Sequence, residues 1–236
     1  MSITTVTTAG SATKPQLLSR EDLPPKLLSY AGLHDAIVRD LDRLERVASA
    51  ATRAPSTLDG VGLARWWERF ERSIVHHHER EDTLVFPLLV ERGATIDAVL
   101  AEDHHELDRL MEMARQRVTV LREQLDAGAA AAFGDCVSSL AVHMADHLGR
   151  EEASVFPAYD RLLDDEANAE LERGMRKGMS LRDMAFEAPW VLDEAHPRLD
   201  AQLDTDLPAP LRFMIRRVWT RRYVSLAAPV LAGARR

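Results

Sequence analysis

The chain has 236 residues, 46% of them hydrophobic and 29% charged, with few aromatics and a formal net charge of −8. That length suits one domain with a sizeable core, or one domain plus an extension, and a mix rich in Ala, Leu, Arg, Glu and Asp favours helices over sheets. No apolar run approaches the ~18–20 residues of a membrane span, and the single cysteine, Cys136, cannot form an internal disulfide, which fits a reducing, cytoplasmic setting.

Residues 1–22 are rich in Ser, Thr and Ala and lack a basic start followed by an apolar stretch, so they read as a disordered leader rather than a signal peptide. Four long segments with helical periodicity follow: about 25–51, 63–92 after the breaker-rich stretch 55–62, 95–127 after Gly93, and 130–163 after Gly128. Short connections between long helices predict antiparallel neighbours, and hence an all-α, up-down-up-down four-helix bundle over residues 23–165. Residues 166–236 read as a helical C-terminal extension ending in a basic tail.

The second segment carries an apolar stripe of Leu63, Trp67, Phe70, Ile74, His77, Glu81, Leu84 and Leu88, in alternating steps of four and three. The third runs Leu100, His104, Leu107, Met111 and onward, and the fourth Phe133, Val137, Leu140, Met144, His147, Glu151. The first is looser, with His34 ahead of Ile37, Leu41 and Leu44. Each core-facing stripe is thus interrupted by a histidine, and two of them also by a glutamate. A carboxylate on a buried seam costs several kcal/mol as an ion unless something compensates it.

The chain also repeats itself. A shift of 70 residues superimposes His34 on His104, His77 on His147, Glu81 on Glu151, and the Phe86-Pro87 pair on Phe156-Pro157. Each half is a helical hairpin contributing one His and then His-x-x-x-Glu, whose four-residue spacing places both side chains on one helix face. At ~1.5 Å rise per residue the six groups lie within about a turn of one another in depth, so they can meet in one layer. Four imidazoles and two carboxylates in one layer make a metal site suited to iron, manganese or zinc rather than calcium. Two carboxylates between two pairs of histidines point to a dinuclear centre with bridging glutamates.

The segments "GLHDAI", "HHEREDTLVFP", "EDHHEL" and "HLGREEASVFP" resemble the hemerythrin-like (HHE cation-binding) family, over about residues 26–163. The resemblance implies a non-heme di-iron centre, oxo- or hydroxo-bridged. His34 and His77 would hold one iron, His104 and His147 the other, and Glu81 and Glu151 would bridge. The oxygen-carrying branch of that family has a second histidine four residues beyond the one on the third helix, where this chain has Asp108. Its fourth-helix carboxylate is an Asp five residues from its histidine, where this chain has Glu at four. Both departures point away from reversible oxygen carriage and towards reaction with small oxidants.

His76, His78 and His105 lie off the apolar stripes and read as polar flank or outer support. His143, four residues before His147, shares the fourth stripe and is a further candidate ligand. Pro87 and Pro157 predict local kinks, and Trp66, Trp67 and Phe70 read as packing. In the extension, residues 164–178 read as a short charged helix, "FEAPW" as a break, and "LRFMIRRVWTRRYVSL" as an arginine- and aromatic-rich helix.

Seven of the 30 basic residues lie beyond Asp206, where there is no Asp or Glu; this leaves 23 bases against 38 acids in the body, a balance of −15. An acidic body argues against nucleic-acid binding. The tail reads as a helix docked on that body in preference to one lying on anionic lipid. The leading expectation is a protein that binds or reacts with hydrogen peroxide, dioxygen or nitric oxide, catalase-like peroxide decomposition included. The alternative is a non-enzymatic iron or oxygen sensor, or an iron-binding protein, that signals through its extension.

Overall fold

A computed structural model describes residues 17–234 and is all-helical there. The leader expectation for residues 1–16 lies outside that range. Residues 17–22 are not a loose leader: Leu17 packs on the core and Arg20 is buried.

Four long helical segments follow the predicted order. α1 spans Pro25–Arg53 and starts with a proline where no backbone donor is needed. α2 spans Gly60–Arg80, runs into a π-turn at Glu81–Val85, and continues as α3, Phe86–Glu91. α4 spans Ala98–Glu123 and α5 spans Ala127–Leu162. The loop residues ahead of them act as caps: Asp59, Asp97 and Asp126 accept hydrogen bonds from the backbone N–H groups of Gly62, Val99 and Ala129. Gly93, at φ +90°, supplies the left-handed residue that turns the chain after α3.

α1 packs against α5, α5 against α4, and α4 against α2. Along these helices the interior is stratified. One apolar cluster holds Leu41, Phe70, Leu107 and Leu140, and a second holds Leu27, Leu89, Leu100 and Val155. His34, His77, Glu81, His104, His147 and Glu151 lie between the two along the chain, and all six are buried. A polar layer between two hydrophobic cores has no access to bulk water, so its partners must come from within.

The two prolines expected to kink their helices differ. Pro87 has no N–H to donate and its ring crowds the preceding turn; the chain answers with the π-turn, in which the Phe86 N–H donates to the Glu81 carbonyl. Pro157 lies inside α5, which runs on as one α-helix, so the repeat is not kept at this level.

Beyond α5 come α6 (Asp165–Arg176), α7 (Leu181–Leu192), α8 (Pro197–Asp206), α9 (Ala209–Phe213), a π segment (Met214–Trp219) and α10 (Thr220–Ala234). "FEAPW" does not break the chain. It sits within α7, Pro189 included, and the break falls earlier, at Gly178 with φ +102° ahead of the Ser180 cap. α10 lies against both α1 and α2, and Phe186, Trp190, Tyr223, Ala227 and Val230 belong to the first apolar cluster. Among the described residues no helix is long and apolar enough to cross a membrane.

Candidate metal centre

The buried layer resolves into two overlapping groups. His34, His77, Glu81 and Glu151 form one, and His78, Glu81, His104 and His147 the other; within each, the candidate ligand atoms all lie within 4.8 Å of one another. All six sequence-predicted residues are therefore brought together, and Glu81 belongs to both groups. The Glu81 carboxylate lies 2.9 Å from His77 Nε2 through one oxygen and 3.3 Å from His104 Nε2 through the other. Glu151 Oε2 lies 3.4 Å from His34 Nε2 and 3.8 Å from His147 Nε2.

His78 is not flank. It is buried, its ring stacks on His104 with centroids 4.2 Å apart, and neither of its ring nitrogens has a hydrogen-bond partner. Adjacent residues on a helix diverge by about 100°, so His77 can face α1 while His78 faces α4. His143 goes the other way: it is exposed and donates from Nδ1 to the Ser139 carbonyl, 2.8 Å away on its own helix. His105 does the same to Ala101, and Asp108 is exposed. His78, from α2, is thus a fifth buried imidazole of the layer.

Outer carboxylates stand behind three of the histidines. Glu152 Oε1 lies 2.9 Å from His34 Nδ1, Asp82 lies 3.1 Å from His104 Nδ1, and Asp103 lies 3.5 Å from His147 Nδ1. At His34 and His104 a proton held between Nδ1 and the carboxylate leaves the Nε2 lone pair pointing inward, the arrangement found behind metal-bound histidines, whereas His147 Nδ1 makes no hydrogen bond. Two of these contacts obey the 70-residue repeat, since Asp82 corresponds to Glu152 as His104 does to His34. Arg20 grips Glu152 from behind with two hydrogen bonds of 2.7 and 2.8 Å. The repeated phenylalanines cover the same imidazoles, Phe156 stacking on His34 and Phe86 on His104.

Tyr30 breaks the symmetry, its repeat counterpart being Leu100. Its hydroxyl donates to Glu81 Oε1 at 2.8 Å and makes a short contact with Glu151 Oε1. One hydroxyl proton cannot serve two carboxylates, and the charges differ accordingly. Burial and the neighbouring Glu81 charge push Glu151 well above the usual carboxylate range. Burial also acts to raise Glu81, but the charge of His77 and the close approach of the His104 and His77 nitrogens outweigh it and hold Glu81 well below that range. Burial lowers His34 and His78, and takes His147 down to about 3, with the charge of His104 adding to the effect. Three of the five imidazoles are thus held neutral, the form that binds a metal.

The Nε2 atoms of His34, His77, His104 and His147, together with Glu81 Oε2 and Glu151 Oε2, are buried and make no well-directed hydrogen bond. Orphaned buried polar atoms cost ~1–3 kcal/mol each. Here they all converge on one layer, so the residues fit a metal-bound state. Nitrogen and carboxylate donors in these proportions suit a first-row transition metal.

Tyr30, Asp82, Asp103 and Glu152 were not singled out from the sequence. The acidic residue that follows each stripe glutamate was a usable signal, because the repeat preserves it. Tyr30 offered only its four-residue spacing from His34.

The Hemerythrin HHE cation binding domain family model matches residues 31–173. No curated protein and no solved structure matches the chain.

Proposed function

The chain belongs to the hemerythrin HHE cation-binding domain family, and from that premise we propose that it holds two iron ions and reacts with a small oxidant: hydrogen peroxide, dioxygen or nitric oxide. In this reading α1, α2 with α3, α4 and α5 form an up-down-up-down antiparallel bundle. Their packing order around the layer and their short connections support it. His34, His77, Glu81 and Glu151 hold one ion; His78, His104, His147 and Glu81 hold the other, with Glu81 as the bridge. The observation that carries the reading is the membership of Glu81 in both groups.

Iron held there would supply a Lewis acid and a one-electron redox couple. The protein's own groups do the rest. Phe86 and Phe156 exclude water from the imidazoles they cover. Asp82 and Glu152 keep the Nε2 atoms of His104 and His34 aimed inward. Tyr30 sits between the two carboxylates and can hold or pass a proton at its hydroxyl oxygen. Burial raises its own pKa well above the usual phenol value, so it stays protonated and neutral across the working range.

A second reading is a sensor, favoured by one observation. Asp40, on the helix that carries His34, is buried and accepts a hydrogen bond of 2.6 Å from the Trp190 indole on α7, which ties the extension to a ligand helix.

The deciding measurement is iron content and visible spectrum of the purified protein beside a His77→Ala/Glu81→Ala variant. About two irons per chain with charge-transfer absorption, both lost in the variant, is the expected result. A colourless, metal-free chain after anaerobic ferrous loading would sink the proposal. Turnover of peroxide, dioxygen or nitric oxide by the loaded protein then separates enzyme from sensor: a sensor would cycle redox state without turnover and change its protease sensitivity with iron.

A further inference from the structure

The end of the molecule away from the metal layer carries an open cleft of about 700 Å³ between α1, α2 and α10. That size falls within the range of small-molecule sites, roughly 300–1,000 Å³. Its walls are largely apolar, with Val47 from α1, Leu58 from the connection to α2, and Leu226 and Pro229 from α10. Three guanidinium groups border it, Arg65 from α2 and Arg221 and Arg222 from α10.

All three arginines are exposed to solvent. Elsewhere the protein's buried or bridging arginines find acids: Arg20 pairs with Glu152, Arg43 with Asp193, and Arg216, in the π segment before α10, with Asp200 and Asp204. Arg65, Arg221 and Arg222 make no ion pair among the described residues, in a chain with a net charge of −8. The only acid on the cleft wall is Asp59, which is engaged in capping α2 through the Gly62 N–H at 2.9 Å. Three cations without carboxylate partners on the wall of an apolar cleft make its mouth positive, which attracts an anion. Guanidinium forks match carboxylate geometry in two-point hydrogen bonds.

We propose that this cleft binds a free single-chain amphiphile with an anionic head, a fatty acid in the first instance. The head meets Arg65, Arg221 and Arg222, and the chain lies on Val47, Leu58, Leu226 and Pro229. The site is independent of the iron reading.

Calorimetric titration of the full-length protein with dodecanoate, below its micelle concentration, tests it. Dodecyltrimethylammonium carries a comparable tail with the opposite head, and acetate carries the head without the tail. One saturable site for dodecanoate and none for the other two is the expected result. Arg221→Glu/Arg222→Glu should weaken dodecanoate by about tenfold or more, as loss of a charge-assisted pair does, and Arg65→Gln by about fivefold. Arg217→Glu, just outside the cleft lining, should leave it unchanged. Helix content and metal content equal to the parent protein certify each variant, and Arg65→Gln stands alone if the double variant fails to fold. Absence of saturable binding, equal binding of the cationic amphiphile, affinity untouched by the arginine changes, or retention only on fatty-acid-bearing vesicles would each overturn the proposal.

Discussion

Glu81 belongs to both groups of candidate ligands, whereas Glu151 belongs to one. The two glutamates stand in equivalent places of the repeat, yet their removal should have different consequences. Glu81→Ala takes an oxygen from both groups and should leave the protein with little bound metal. Glu151→Ala leaves His78, Glu81, His104 and His147 intact and should retain about one ion per chain by elemental analysis, the number of ligands being sufficient for a single site. Equal loss from both variants would remove the case for Glu81 as the shared ligand.

His78→Ala should lower metal content or affinity while His143→Ala leaves both unchanged. Reading the stripe at 100° per residue selects one histidine from three neighbours, and it found His77. It missed His78 because a layer that faces α1 on one side and α4 on the other is wide enough for two adjacent residues. Conversely, His143 sits on a stripe and still points outward, since the four-residue step drifts around the helix by 40° each time. Behind the ligands, Glu152→Ala should cost metal affinity about 10–100-fold, the usual effect of losing an outer partner of a ligating histidine. The same change leaves Arg20 buried beside Asp35 alone, and should lower stability in denaturant by about 3 kcal/mol, the lower end for a broken buried pair.

At the scale of elements, the four long helices were legible because their stripes are long, regular and bounded by breakers, and their aspartate caps sit where those breakers fall. The π-turn was legible only as trouble at Pro87. Its repeat partner Pro157 is accommodated without one, which no local pattern announces. "FEAPW" was misread for a related reason: a proline inside a helix forfeits one hydrogen bond, and the surrounding packing decides whether the helix survives. Here Trp190, next to Pro189, is fully buried and anchored.

The anchor is testable. Asp40 is 0% exposed and accepts from the Trp190 indole at 2.6 Å and from Arg43 at 2.8 Å, while Arg43 also reaches Asp193 beyond α7. Asp40→Ala strands the buried Trp190 indole N–H and takes one carboxylate from Arg43, which keeps Asp193 and Glu194, so a loss of about 1–3 kcal/mol is expected in urea unfolding. Asp40→Asn, which keeps an acceptor for Trp190, should lose less. Limited proteolysis of the alanine variant should cut first between α6 and α8; a cut pattern like that of the parent would show that the anchor does not hold the extension.

For the whole molecule, the family match and the folding unit do not coincide. The match ends at residue 173, yet Phe186, Trp190, Tyr223, Ala227 and Val230 lie in the same apolar cluster as Phe70, Leu107 and Leu140. Trp190 stacks edge-on against Phe70 with ring centroids 5.7 Å apart, and Phe186 stacks on Trp190 at 5.6 Å. From sequence, the tail was legible as helical, but its share of the core was not. Burial of its aromatics depends on partners more than 100 residues away. Fully burying a large apolar side chain contributes about 1.5–3 kcal/mol. Losing Phe186, Trp190, Tyr223 and Val230 therefore removes about 6–12 kcal/mol, against a typical total stability of about 5–15 kcal/mol. A chain ending at Arg176 keeps every candidate metal ligand, yet it should not fold cooperatively on its own. It should bind a hydrophobic dye, lose near-ultraviolet circular dichroism and unfold without a sharp transition. If the fragment instead melted as sharply as the full chain, the extension would be an appendage, and the site would owe its geometry to the matched helices alone.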